Sequence, residues 1–98
     1  MKKLNFKNTS DFERVFKKRD KEITDAIVNA IQEAMMFGKP SANLFEITFD
    51  EVDLMYEITL PKGEWKKALQ SCLEHYEELE MSDECIDTWK LLEAVKVW

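Results

Sequence analysis

Residues 44–60, LFEITFDEVDLMYEITL, alternate apolar and polar side chains on both sides of Asp50-Glu51. A period of two is typical of a β-strand with one buried face. We therefore predict an antiparallel hairpin that reverses at Asp50-Glu51, through a two-residue or a four-residue loop. Three pairs are expected to share the apolar face: Phe49 with Val52, Ile47 with Leu54, and Phe45 with Tyr56. Leu44 and Met55 are expected on the opposite, polar face.

A long helix is predicted before the hairpin. Ser10 and Glu13 have the spacing of a capping box, which marks a helix start. Apolar residues then recur at intervals of three and four until Gly38 and Pro40 end the pattern. The predicted helix covers residues 11–37 and would be about 40 Å long, which is longer than a strand of six or seven residues.

One end of this helix is therefore expected to project beyond the hairpin, with Met36 and Phe37 as an apolar tip. Ahead of the helix, Leu4 and Phe6 alternate with polar residues. This segment fits either a short third strand or an irregular lead-in to the helix.

Two amphipathic helices are predicted after the hairpin. The first begins near Pro61 and carries an apolar stripe of Trp65, Ala68, Leu69, Cys72, Leu73, Tyr76 and Leu79. The second is expected to be capped by Ser82 and to turn these side chains inward: Ile86, Trp89, Leu92 and Val95. The short break between them predicts an antiparallel helical hairpin. Residues 1–98 are thus expected to form one α+β domain.

The composition bounds the class of protein. The chain has 98 residues, of which 45% are hydrophobic and 35% are charged, with a net charge of −6. No apolar run approaches the roughly 20 residues of a membrane span, and no signal-peptide pattern follows the first lysines. We expect a cytoplasmic protein that does not bind membranes, with both cysteines as free thiols.

No residue pattern points to an enzyme, a metal or a cofactor. Cys72-x-x-His75 could place two ligands one helical turn apart, but Cys85 is expected roughly 7 Å too far along the helix axes to join them. We therefore predict that Cys72 belongs to the core and that His75 is solvated. The carboxylates around residues 74–87 are expected to form a solvated face with favourable helix-dipole placement.

A nucleic-acid-binding role is the alternative to protein binding. Residues 1–22 hold eight Lys or Arg against four Asp or Glu, and the rest of the chain is strongly acidic. The candidate contacts with phosphate are Arg14, Lys17, Lys18, Arg19 and Lys21. The net charge and the interspersed acids argue against this role.

The C-terminal half resembles small accessory proteins of tailed phages in its general character. The resemblance covers residues 55–96, MYEITLPKGEWKKALQSCLEHYEELEMSDECIDTWKLLEAVK, which end in an acidic helix pair. It implies a small cytoplasmic protein of a phage-infected cell, and it implies no site residues.

The leading interpretation is a small non-enzymatic protein that binds other proteins or regulates them, and that forms a homodimer. A lone two-stranded hairpin is marginal in water, and its open edge can pair with a second chain. The residues expected to contact a partner are Leu44, Met55, Met36, Phe37 and Trp98.

Overall fold

The computed structural model describes residues 2–18 and 21–97, with only the backbone described for Lys17 and Lys18. In chain order its elements are β1 (Lys2–Phe6), α1 (Thr9–Lys18), α2 (Lys21–Met36), β2 (Ser41–Phe49), β3 (Val52–Pro61), a 3-10 turn (Lys62–Glu64), α3 (Trp65–Glu78) and α4 (Ser82–Lys96). The described chain is thus α+β, as predicted, with four helices and a three-stranded mixed sheet.

The sheet has the order β1-β2-β3, with β2 in the centre. The N-terminal segment is a strand and pairs parallel to β2, whereas β3 pairs antiparallel to β2. In the parallel ladder Leu4 lies opposite Ile47 and Phe6 opposite Phe49, so their apolar side chains share one face. The first strand adds width to that face and leaves β3 as an edge strand.

The hairpin turns at Asp50-Glu51, and Phe49 pairs with Val52 as predicted. The other two predicted pairs are wrong, because Ile47 pairs with Tyr56 and Phe45 with Ile58. Asp53 and Leu54 have no counterpart on β2, so the pairs from Thr48 to Phe45 are displaced by two residues. A displacement of two keeps every side chain on its predicted face, and alternation alone cannot detect it.

Leu44 is buried, which corrects its expected exposure on the polar face. The register shifts between Asn43 and Phe45, so Leu44 is the extra residue of a β-bulge. Leu44 is 7% exposed and the adjacent Phe45 is 1% exposed. Strict alternation would have put one of the two in solvent, whereas the bulge buries both.

The predicted single helix over residues 11–37 is also wrong, because α1 ends at Lys18 and α2 begins at Lys21. The break falls in the charged run that interrupts the apolar series. Two shorter helices can both lie against the strands: α1 contacts β1, and α2 contacts β2 and α3. An unbroken helix of about 40 Å would overhang the nine-residue β2, which spans roughly 30 Å.

The core lies between the inner face of the sheet and the helices. Its largest fully buried apolar side chains come from α2, β2 and α3: Ile31, Phe45, Ile47, Trp65, Leu69 and Tyr76. An aromatic cluster of Phe6, Phe12, Phe16, Phe45 and Phe49 joins α1 to the strands. The Trp65 indole N–H donates to the carbonyl oxygen of Leu60 at 2.8 Å, which ties the start of α3 to the end of β3.

The helix starts differ from the expected ones. The Asn8 side chain accepts a hydrogen bond from the backbone N–H of Asp11 at 2.9 Å, so Asn8 rather than Ser10 caps α1. The N-cap position of α4 is Met81, and Ser82 is already the first helical residue. The helical hairpin of α3 and α4 itself is as predicted, and the two helices pack against each other.

The C-terminal ends of α2 and α3 have the same backbone conformation. Gly38 follows α2 with φ of 62°, and Glu80 follows α3 with φ of 56°. In each case the residue after it donates its N–H back to the helix, from Lys39 to Ala34 and from Met81 to Tyr76. The left-handed conformation suits Gly38, but it strains Glu80, which has a side chain.

Glu80→Gly is therefore expected to stabilise the protein by about 0.5–1 kcal/mol, because relief of strain exceeds the added freedom of the unfolded chain. Urea unfolding followed by circular dichroism measures the change. Glu78→Gly is the matched control, two residues earlier and within α3. It should destabilise by roughly the same amount, since glycine is unfavourable in a helix. Stabilisation by both variants, or by neither, would contradict the assignment of strain to Glu80.

Leu44→Ala tests the bulge. Because Leu44 is buried, its truncation is expected to lower the free energy of unfolding by about 2–3 kcal/mol. Met36→Ala is the matched control, since Met36 is 74% exposed. Its effect should stay within about 0.5 kcal/mol. Equal small effects would mean that Leu44 faces solvent.

Candidate interaction surfaces

The first half of β3 exposes four large apolar side chains, which together we name the β3 tip: Val52, Leu54, Met55 and Tyr56. Leu54 is the most exposed of them, at 57%. Further along the strand, Ile58 and Leu60 pack against the core. The helices therefore cover only the second half of this strand, and the expected exposure of Met55 is confirmed.

The β3 tip is open because of its position in the sheet. β3 pairs only with β2 among the described strands, so its other edge carries unpaired backbone groups. The Tyr56 ring packs edge-on against Phe49, with the centroids 5.8 Å apart, yet about half of the tyrosine side chain remains exposed. Exposed apolar side chains beside an unpaired strand edge are typical of a surface that binds another chain.

The outer face of the sheet is polar apart from Met55. Asn5 donates to the Asp50 carboxylate at 2.9 Å and accepts a hydrogen bond from Thr48 at 2.8 Å. Lys3 lies 3.9 Å from Glu46 across the β1–β2 pair. These polar side chains are paired with one another on the outer face, so the exposed apolar surface of the sheet is concentrated at the β3 tip.

Met36 and Phe37 are exposed at the C-terminal end of α2, as expected. They lie near the start of β2, whereas the β3 tip lies near its end, and β2 spans roughly 30 Å. The two apolar surfaces are therefore separate. Trp98, the last residue expected to contact a partner, lies outside the described residues.

The basic N-terminal residues do not assemble into a described phosphate-binding surface. Arg14 forms an ion pair with Asp11, and the Lys21 ammonium lies 2.7 Å from the Asp25 carboxylate. The side chains of Lys17 and Lys18, and all of Arg19, lie outside the described part of the chain. Within that part, the two basic side chains of this candidate site already have carboxylate partners.

A polar cluster of Lys21, Asp25 and Tyr76 joins α2 to α3. The buried Tyr76 hydroxyl donates to Asp25, a residue 51 positions away, and Lys21 donates to the same carboxylate. Burial raises the pKa of Asp25, but the hydrogen bonds from Lys21 and Tyr76 lower it by more, so the net pKa is lowered. The pKa of Tyr76 is raised by burial and then by its bond to Asp25. Sequence patterns had placed Tyr76 on an apolar stripe and gave no sign of its partner.

An open groove of about 400 Å³ lies beside this cluster, between α2 and the start of β2. Its walls include Asn29, Glu33 and Asn43, and the Lys2–Glu22 ion pair, 2.5 Å long, lies at one side. Among residues 2–18 and 21–97, no three His, Cys, Asp or Glu side chains are grouped so as to hold a metal ion. The groove therefore offers hydrogen bonds but no described metal site.

The two cysteines are free thiols. Cys72 is fully buried in the core, as predicted. His75 is half-buried rather than solvated, and its Nε2 atom is buried without a described hydrogen-bond partner. Burial raises the pKa of the Cys85 thiol, and the charges of Glu77 and Glu84 add to this effect.

A second apolar surface lies along the helical hairpin. Ile86 and Trp89 were expected to point inward, but both are about half exposed, and Trp89 is 54% exposed. They line a groove of about 400 Å³ with Leu73, Glu77, Cys85 and Lys90. We name this surface the hairpin groove. The expected orientation is wrong for these two residues because α4 packs on α3 and buries Leu92 and Thr88, with Val95 partly buried, and this leaves Ile86 and Trp89 uncovered.

No helix in the described residues is long and apolar enough to cross a membrane. No protein-family model matches this chain, and no curated protein or solved structure shows significant similarity to it. A function is therefore inferred from the surfaces of the chain itself.

The Asp25 cluster predicts a pH dependence of stability. Because the pKa of Asp25 is lower in the folded state, its contribution is complete above the unfolded pKa of about 3.9 and is lost as the pH falls through the folded pKa. The difference in free energy of unfolding between the wild type and Asp25→Asn should therefore be large at neutral pH and shrink in acid. Denaturant titrations at several pH values measure it.

Tyr76→Phe provides the second arm of this test, and it is expected to cost about 1–2 kcal/mol at neutral pH through loss of the hydrogen bond. Asp53→Asn, an exposed aspartate on β3, is the matched control and should have a much smaller effect than Asp25→Asn. A pH-independent difference between the wild type and Asp25→Asn would show that the carboxylate charge is not what stabilises the contact.

Proposed function

We propose that this is a non-enzymatic protein-binding protein that self-associates as a homodimer through the β3 tip. The observation that carries the proposal is the exposure of four large apolar side chains on an edge strand. Burying them removes apolar surface from water, and pairing the edge satisfies backbone groups at the same time.

A symmetric antiparallel pairing of two β3 strands has a favoured register. With Leu54 at the two-fold axis, Leu54 faces the same residue of the partner copy, and Val52 faces Tyr56. On the outer face Asp53 then lies opposite Met55. A pairing centred on Met55 would instead set Asp53 against Glu57, and like charges directly opposite are destabilising. The Leu54-centred pairing thus joins the apolar residues and keeps Asp53 away from Glu57, whose counterpart becomes Glu51 in the turn outside the strand.

The interface of the proposed dimer is small. Four partly exposed side chains per copy bury less than a standard protein interface, so we expect a dissociation constant in the micromolar range. The second binding partner of such a protein would be another protein and not a nucleic acid. Arg14 and Lys21 are paired with carboxylates, and the net charge of −6 repels phosphate.

The cytoplasm is the compartment that we propose, and two free thiols are compatible with a reducing environment. The resemblance of residues 55–96 to phage accessory proteins suggests the infected bacterial cell as the setting. Neither the binding role nor this setting requires a cofactor.

Leu54→Glu is expected to abolish the dimer. Two carboxylates would meet at the axis of the pairing, so the dissociation constant should rise roughly tenfold or more. Sedimentation equilibrium across the micromolar range measures it. Val97→Glu is the matched control, since Val97 is 86% exposed at the opposite end of the chain, and it should leave the dimer intact.

Circular dichroism of both variants establishes that they are folded. A wild-type protein that remains monomeric throughout the micromolar range would overturn the proposal. Dimers that survive Leu54→Glu but are lost in Val97→Glu would move the interface away from β3.

A further inference from the structure

The hairpin groove is a further place, besides the β3 tip and the Met36–Phe37 end of α2, where the chain exposes large apolar side chains without a described cover. Ile86 and Trp89 form one wall on α4, and Leu73 forms the opposite wall on α3. The lining is predominantly apolar, with Glu77 and Lys90 as its charged members. A half-exposed tryptophan set between two helices has the character of a binding hot spot.

The net negative charge of the chain lies in the helical hairpin that contains this groove. Residues 70–98 contain eight Asp or Glu and two Lys, whereas residues 1–69 contain twelve acidic and twelve basic residues. The net charge of −6 is therefore carried entirely by the segment that forms most of α3 and all of α4. Glu77 lines the groove, and both Glu77 and Glu84 lie close enough to its Cys85 thiol to act on it electrostatically. An apolar floor with an acidic surround is complementary to an apolar ligand with positive flanks.

The geometry indicates the shape of that ligand. The groove lies between two antiparallel helices, and its lining extends along them for one to two helical turns, or roughly 8 Å. Helices have no free backbone edge along their length, so an extended peptide would find no strand to pair with there. A helix satisfies its own backbone groups and can present one apolar stripe to such a groove.

We propose that the hairpin groove binds a basic amphipathic α-helix of another protein. The apolar stripe of that helix would pack on Ile86 and Trp89, and its Lys or Arg residues would face Glu77 and the exposed carboxylates of the hairpin. This inference does not depend on the proposed dimer, because the β3 tip belongs to the sheet.

A second copy of this chain is a poor occupant of the groove. Its β3 tip is flanked by Glu51, Asp53 and Glu57 and would be repelled by the acidic helices. Its exposed Met36 and Phe37 offer only two apolar side chains at a helix end. Nucleic acid is excluded by the same charge. The occupant that satisfies both the apolar and the electrostatic character of the groove is a cationic helix.

The test uses a synthetic peptide of about 18 residues, five helical turns, with Leu at helical spacing on one face and Lys on the other. Its fluorescein-labelled form is titrated with the full-length protein, and anisotropy reports binding. We expect saturable binding in the micromolar range that weakens roughly tenfold or more in Trp89→Ala. Ile86→Glu should weaken it as well, although it adds negative charge.

Leu54→Glu is the matched control on the β3 tip and should bind the peptide as the wild type does. A peptide with Glu in place of Lys should not bind. A peptide of the same Leu and Lys composition, rearranged to alternate strictly as a strand, should bind at least tenfold more weakly than the helical one.

Three results would overturn the proposal: no saturable binding to the wild type, equal binding by Trp89→Ala, or equal binding of the alternating peptide. Binding that is lost only in Leu54→Glu would place the peptide on the β3 tip and would also reject the hairpin groove. Circular dichroism of each variant separates lost binding from lost folding. None of these outcomes depends on whether the wild type dimerises.

Discussion

The packing of α2 against β2 on one side and α3 on the other is the contact on which the rest of the structure depends. Ile31 of α2, Ile47 of β2 and Leu69 of α3 are almost fully buried. Without α2 the sheet would have one apolar face in water, and the helical hairpin would be attached to the sheet mainly at the end of β3, through Trp65 and Leu60. The Tyr76–Asp25 hydrogen bond crosses the same α2–α3 contact, so a polar bond fixes the alignment that apolar burial favours.

The same packing leaves two apolar surfaces uncovered. α1 and α2 lie over β1 and β2, so the outermost strand receives cover only where its second half approaches α3. α4 packs on α3 and buries Leu92, but nothing described lies beyond it. The residues of these two surfaces therefore lie on the last strand and the last helix, whereas the exposed Met36 and Phe37 lie at the end of α2. Limited helical cover accounts for both surfaces.

The sequence predicted the elements better than their relations to one another. Alternation of apolar and polar residues predicted the hairpin and was compatible with the first strand, and apolar stripes predicted α3 and α4. The ladder beyond the turn could not be predicted, because a displacement of two residues at Asp53-Leu54 preserves every face. The bulge at Leu44 broke the alternation that had been used to place that residue. One helix was predicted where the structure has α1 and α2, because Phe16 and Ile23 are seven residues apart and the apolar stripe stays in phase across the charged run.

The candidate surfaces were harder to predict than the fold. Met55 could be found as an apolar residue among charges, but Val52, Leu54 and Tyr56 had the pattern of a buried face. A pattern shows which side of a strand is apolar, and it does not show whether a helix reaches that side. The burial of Trp89 was wrongly predicted for the same reason. An apolar stripe on α4 does not show how much of that stripe the neighbouring helix covers. The Asp25–Tyr76 contact joins residues too far apart in sequence for any local pattern to reveal it.

The two proposed surfaces can act together because they lie on different elements. Pairing through β3 leaves α3 and α4 of each copy free, so a dimer would present two hairpin grooves. Two linked sites bind a ligand that carries two basic helices more tightly than one site does, because the second contact is intramolecular. A weak dimer would then be stabilised by its own ligand, since a ligand that spans both copies binds only the associated form. Micromolar contacts at both surfaces are therefore sufficient for a tight complex, provided that the partner is itself paired.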